Sequence, residues 1–171
     1  SYEPAEIIAM MEKHLYEKYG EEFVVDRLGT RTANEETFYQ ARIYPVSIIG
    51  TKKEGDKYYY GELSMEIEDR GLGGIADSYG EIKRSIELEN YLLSKAREIY
   101  GNRVSLKINQ RYEKRNENGY FVSYLNPSLK EVFERITNDP ENNRLMLDID
   151  VYIFDRIEDE EEKEERRRQI F

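Results

Sequence analysis

The segment RGLGGIADSYGEI, residues 70–82, gathers three glycines ahead of a helix-like run, an arrangement that can aim backbone N–H groups at an anion. Gly71, Gly73 and Gly74 fit neither known spacing: no GxGxxG follows a buried strand, and no Gly-Lys-Ser/Thr pair is present. The segment therefore reads as a mobile surface loop, the kind of element that often carries binding residues.

Carboxylates are the next candidates. Asp148 and Asp150 share one strand face, and Glu62, Glu66 and Glu68 share another, so calcium ligation or acid/base catalysis is conceivable. The chain has no D-x-[DN]-x-[DN]-G pattern, and a solvated sheet face is the expectation for both sets. His14 is the sole histidine, which removes His-pair metal motifs. Flanked by Glu12 and Lys13 and off the apolar stripe of its helix, it is expected to be exposed. No G-x-S-x-G elbow activates a serine. Cysteine is absent, which excludes disulfides, thiol nucleophiles and thiolate metal sites. No catalytic residue, metal site or cofactor is expected.

Tyrosine is the compositional oddity, with 15 Tyr and no Trp. Its rigid apolar ring and polar tip suit contact with proteins or glycans. Strand alternation sets Tyr58 and Tyr60 opposite Tyr59, so Tyr58 and Tyr60 could join Tyr39 or Tyr44 in an outward platform if the strands pair in register.

The elements that must hold these residues follow from periodicity. Residues 4–19 read as a helix with Pro4 in the first turn, a stripe of Ile8, Met11, Leu15 and Tyr19, and Gly20 as its stop. EEFVVDRLG is a first strand; Tyr39, Ala41 and Ile43 mark a second, ended by Pro45. KKEGD reads as a hairpin turn into a third strand, with Tyr59, Gly61, Leu63, Met65 and Ile67 on one face. A longer helix reaches about Tyr100 on a stripe of Ile82, Ile86, Leu92, Ala96 and Ile99. Val104, Leu106 and Ile108 begin the next strand, KRNENG turns, and YFVSYL returns. Asn126 and Pro127 read as the start of a short helix bearing Leu129, Val132, Phe133 and Ile136. The last strand sets Leu145, Leu147, Ile149, Val151 and Ile153 on one face.

This order implies an α+β fold: a mainly antiparallel sheet packed by two longer helices and one short one. Residues 1–156 read as a single domain and 157–171 as a charged helical tail, with Glu162 and Glu164 four residues ahead of Arg166 and Arg168. EKYGEEFVV and EIYGNRVSL repeat a helix, Tyr-Gly, strand pattern, which suggests a duplicated unit and a structural role for the glycine. The helix ending LYEKYGEEFVV, followed by Tyr-rich charged strands, resembles extracytoplasmic domains of small lipoproteins and exported proteins of Gram-positive bacteria. That resemblance covers the first third of the chain and implies a cystatin-like shape and no catalytic residues.

With 36 acidic and 26 basic residues the formal charge is −10, which opposes binding to nucleic acid and to anionic lipid. Ser1 is not an initiator Met, so the expectation is a leader or anchor upstream and membrane association only through it. The function expected is a noncatalytic extracytoplasmic domain binding a protein or cell-envelope component. The alternatives are a cytosolic acidic inhibitor or immunity protein for a basic partner, and a carboxylate hydrolase.

Overall fold

The computed structural model describes residues 2–68, 71–154 and 168, with the backbone alone for residues 68, 71 and 72. The fold is α+β, with strands in two antiparallel sheets. Helix α1 (Pro4–Tyr19) starts on Pro4, and the backbone N–H of Glu3 donates to the Glu6 carboxylate at 3.2 Å. It stops at Gly20, whose φ of 69° is left-handed and whose N–H closes on Tyr16. Its buried side chains are Ile7, Met11 and Leu15, while Ile8 of the expected stripe is only half-buried.

Strands β1 (Phe23–Ala33), β2 (Glu36–Pro45), β3 (Gly61–Glu68) and β4 (Gly71–Asp77) form the first sheet in sequence order. Phe23, Val25, Ala41, Ile43, Leu63 and Met65 alternate onto one face and bury against α1, as period-two patterning requires. The β1–β2 hairpin turns on Asn34 and Glu35, both at positive φ, and Asn is among the residues that tolerate this conformation best. The pairing slips between Asp26 and Gly29, where Arg27 has a φ of 53°.

Helix α2 (Tyr79–Tyr100) leaves β4 almost directly and reaches the second sheet, where β5 (Val104–Arg115) lies between β6 (Phe121–Ser123) and β7 (Asn143–Ile153). Leu88 packs with Ile108 and Leu129, and Ala96 with Val104 and Leu106. Helix α3 (Leu129–Asn138) supplies Leu129 and Val132 to the interior. Polar contacts tie the connection before β3 to the α2 side, the Tyr59 hydroxyl donating to Glu89 at 3.0 Å and Lys107 to Asp56 at 3.2 Å, and the Gln110 amide fastens β5 to α2 through the Glu81 carbonyl at 3.0 Å.

Several expectations are corrected. Tyr58 and Tyr59 are not on a strand: residues 46–60 form a long connection with two single 3₁₀ turns, and the Asp56 carboxylate caps the second by accepting from the Tyr58 N–H at 3.0 Å. Gly71, Gly73 and Gly74 belong to β4 rather than to a loop, because β3 takes hydrogen-bonding partners along that side, from Leu63↔Asp77 to Glu68↔Gly71. The buried face of α2 carries Arg84, Ser85, Leu88 and Glu89, whereas Ile99 of the expected stripe is 73% exposed. Ser128, not Asn126, caps α3, its hydroxyl accepting from the Glu131 N–H at 3.2 Å. Tyr19 packs at its helix–sheet junction, 5.8 Å from Phe23 between ring centroids, but Tyr100 is half-exposed, so the repeated Tyr-Gly shares only its glycine stop. Gly101 also takes a positive φ, 84°. After that shared unit the strand orders of the two sheets differ. The apolar face of β7 is not inward beyond Leu145: Leu147, Ile149, Val151 and Ile153 are all exposed, because α2 lies over β5. The charged tail lies outside the described residues except for Arg168, which is helical.

The passage of α2 beside the 124–127 segment leaves no room for a side chain at Gly80, where an added Cβ would stand 2.9 Å from the Leu125 carbonyl oxygen. Gly80→Ala is expected to lower stability by about 1–3 kcal/mol, the usual result of overpacking against backbone. Thermal unfolding followed by circular dichroism measures it, and an unchanged midpoint would show that the contact yields freely.

Candidate binding surface

The even-numbered residues of β2 face away from α1, so Gln40, Arg42 and Tyr44 share the outer side of the first sheet. Pairing of Ile43 with Gly61 brings Tyr44 across from Tyr60, the last residue before β3. Their rings stack with centroids 4.7 Å apart and planes at 24°, within the offset-stacked range. The Arg42 guanidinium lies 4.8 Å from the Tyr60 ring centre and 5.5 Å from that of Tyr44. The Arg42 Nε–H donates to Asp26 at 2.7 Å, and a second N–H completes the fork on the same carboxylate. That hydrogen bond holds the Asp26 carboxyl below its ordinary range and raises the Arg42 guanidinium further above neutrality. The Gly55 N–H donates to the Tyr60 hydroxyl at 2.7 Å and fixes the ring.

Arg42, Gly55 and Tyr60 line an open cleft of about 650 Å³ together with Arg27, Gln40, Lys57 and Glu62, while Tyr44 and Asp26 flank it by stacking on Tyr60 and pairing with Arg42. It offers a rigid aromatic floor, a guanidinium already neutralised by Asp26, and charges of both signs at the rim. Such a surface can stack and hydrogen-bond without side-chain reorganisation. It contains neither His nor Ser, and no group of three or more His, Asp or Glu able to hold a metal occurs among the described residues.

Two of the four expected tyrosines, Tyr44 and Tyr60, therefore meet, and Arg42 with Asp26 completes the surface. Tyr39 lies on the opposite face of β2, against the α1 core. Tyr58 turns away, edge-on to Tyr59 at 5.0 Å with the Lys107 ammonium 5.1 Å from its ring centre, and burial pushes its hydroxyl pKa up. Arg42 could have been found from parity alone, since it shares a strand face with Tyr44. Asp26 reaches Arg42 as its direct cross-strand partner, a pairing fixed by the β1–β2 register and not by any motif in β2.

The carboxylates do not assemble. Asp148 and Asp150 lie on the polar face of β7, paired across the ladder with Asn109 and Lys107. Glu62 accepts from Gln40 at 3.2 Å on the first sheet, Glu66 lies beside Gly74, and the Glu68 side chain is outside the described residues.

His14 is not exposed as expected but half-buried, its Nε2 3.3 Å from Asp77. Asp77 went unnoticed in the sequence because it closes β4 with no motif around it. Its side chain is fully buried and accepts from the Tyr19 hydroxyl, from Lys18 Nζ at 2.9 Å and from the Tyr79 N–H at 3.0 Å. Burial opposes its charge, yet the Tyr19 and Lys18 hydrogen bonds hold the carboxyl below the ordinary range. Burial and the Asp77 charge in turn push the Tyr19 hydroxyl far up. Both carboxylate oxygens are occupied, so the cluster ties α1 to the β4–α2 junction and has no free face for a substrate.

No protein-family model matches the chain, and comparison with curated proteins and with solved structures gives no match either.

Because the folded Asp77 pKa is depressed, its stabilisation is complete above the unfolded value of about 4 and is lost as pH falls through the folded value. Asp77→Asn is expected to cost about 2–3 kcal/mol at neutral pH, and the deficit should shrink steadily in acid. Urea unfolding of both proteins at neutral and acidic pH tests this, and a deficit that stayed constant with pH would mean that charge plays no part.

Proposed function

We propose that the chain is a noncatalytic binding domain that engages a protein or another cell-envelope component through the Tyr44–Tyr60–Arg42 surface. One observation carries the reading: two stacked tyrosines and a guanidinium are locked in place by Asp26 and Gly55, with Tyr60 and Arg42 lining an open cleft. Tyr and Arg are the side chains most often found at the energetic centre of interfaces, and a preorganised surface spares the entropy of ordering them on binding. The rim charges of Arg27, Lys57 and Glu62 suit recognition rather than bulk electrostatic attraction. The proposal includes an extracytoplasmic setting, supported by the resemblance of LYEKYGEEFVV to exported Gram-positive domains and compatible with the absence of cysteine.

The test compares the immobilised chain with a Tyr44→Ala/Tyr60→Ala variant and a remote Tyr100→Ala control in capturing components from a detergent-solubilised Gram-positive envelope fraction. Loss of two truncated contact residues should weaken a captured partner by about 30-fold or more, at roughly 1 kcal/mol each, while Tyr100→Ala leaves it unchanged. A partner held equally by all three proteins would place recognition elsewhere. A hydrolytic activity abolished by one carboxylate substitution would overturn the noncatalytic reading.

A further inference from the structure

The second sheet carries an independent feature. β7 is its last strand, so one side of its backbone has no neighbouring strand among the described residues. Its register with β5 runs unbroken from Val104↔Ile153 to Lys114↔Asn143, and it contains no Pro, no Lys and no bulge. Those are the devices by which exposed edges are normally kept from pairing. On the helix-facing side, Leu147, Ile149, Val151 and Ile153 are 47%, 40%, 44% and 55% exposed, while Val104, Leu106 and Ile108 on the same side of β5 are at most 7% exposed. α2 covers one strand and leaves the next bare.

The bare surface continues onto α2. Leu88 belongs with Leu129 and Leu145, on the β7 side of the helix, whereas Leu93 belongs with Ala96 and Val104 on the other. Tyr91 and Lys95 follow Leu88 at helical spacing, with Ile99 another turn on, and Tyr91 and Ile99 are 57% and 73% exposed.

We infer that β7 pairs antiparallel with β7 of a second copy about a two-fold axis through Leu147, joining the two three-stranded sheets into one. A two-fold perpendicular to the sheet keeps both α2 helices on the same side. The two β5 strands would then lie three strand spacings, about 14 Å, apart, and so would the helices above them. Packed helices sit about 8–10 Å apart, so the remaining gap suits side chains as large as Tyr91 and Ile99, closing over the paired β7 apolar faces.

Charge and the apolar row together select the register. Arg144 lies toward one end of β7, with Asp148 and Asp150 toward the other. Centring on Leu147 sets Arg144 of each copy opposite Asp150 of the other, and Met146 opposite Asp148. Centring on Met146 also opposes Arg144 to Asp148, but it sets Ile149 across from Asn143, whereas centring on Leu147 sets Ile149 across from Leu145 and Leu147 across from itself; centring on Asp148 opposes that residue to itself, and centring on Ile149 opposes Asp148 to Asp150. Like charges directly across a ladder destabilise it, and opposite ones stabilise it.

The test is the mass of the full chain by sedimentation equilibrium across a concentration series, with three variants. The expected result is a dimer of twice the 20.4 kDa chain mass that Ile149→Lys converts to monomer with an unchanged circular dichroism spectrum. Asp150→Arg should weaken the dimer by about fivefold or more, since two attractive pairs become repulsive. Leu147→Cys should be joined to itself by a short bis-maleimide, an unambiguous link in a chain without other cysteines. A monomer whose Leu147→Cys thiol labels freely overturns the inference, because the face is then open in solution. A monomer whose thiol is shielded overturns it in favour of the chain's own C-terminal residues. A dimer that persists in Ile149→Lys and gives no Leu147→Cys link also overturns it. Each of these outcomes leaves the Tyr44–Tyr60–Arg42 reading on the first sheet to stand or fall separately.

Discussion

The carboxylate of Asp77 sits where three elements meet, and their arrangement depends on it. It ends β4, accepts the Tyr79 N–H in the first turn of α2, and accepts from Tyr19, Lys18 and His14 of α1. A buried charge is tolerated only when its lone pairs are filled, and here they are. Once the carboxylate is held, the exit of the chain from the first sheet is set. Tyr79 enters the first core, meeting Phe23 and Tyr19 edge-on with centroids 4.7 Å and 5.0 Å away, and α2 sets out toward the second sheet in a defined direction.

The interior is accordingly divided. The first core is apolar and continuous from α1 through β1, β2 and β3, and the second is split into two smaller clusters beneath α2. The polar contacts that cross between the two sides are Tyr59 with Glu89 and Lys107 with Asp56, while Gln110 with Glu81 and Ser85, and Arg84 with the Tyr124 carbonyl, fasten α2 to the second sheet. Burial raises the Glu89 carboxyl pKa and lowers that of the Arg84 guanidinium, so this seam holds groups that would otherwise be fully solvated. Directional hydrogen bonds define one relative placement of the two sheets, which apolar packing alone would specify less sharply. The arrangement also explains why α2 can be long and yet leave β7 uncovered: its buried face is committed to the seam and to β5.

Much of this architecture was legible from periodicity. Pro4 and Gly20 bracket α1; Leu63 and Met65 define the inner face of β3; Val104, Leu106 and Ile108 define that of β5. Such local signals survive because they depend on the repeat of the element itself. The errors fall where a distant partner overrode the local pattern. Gly71, Gly73 and Gly74 look like a loop until β3 is present to pair with them, and Tyr58 looks like a strand residue until Asp56 caps a 3₁₀ turn beneath it. On the binding surface, the tyrosine excess pointed to Tyr44 and Tyr60, but the Arg42–Asp26 pair went unread because it depends on the register between β1 and β2, which no local pattern states.

The sequence by itself determined the α+β class, the stops of the two longer helices at glycine, the alternation of β2, β3, β5 and β7, and a charge unfavourable to nucleic acid. Each of these follows from residue type and spacing over a few positions. Only the tertiary structure decided which faces are covered. The regular alternation of Leu145 to Ile153 gathers the apolar side chains on one face, and the path of α2 left most of that face outside. Whether an apolar row is core or surface depends on what lies above it, and that is set by contacts between residues far apart in the chain.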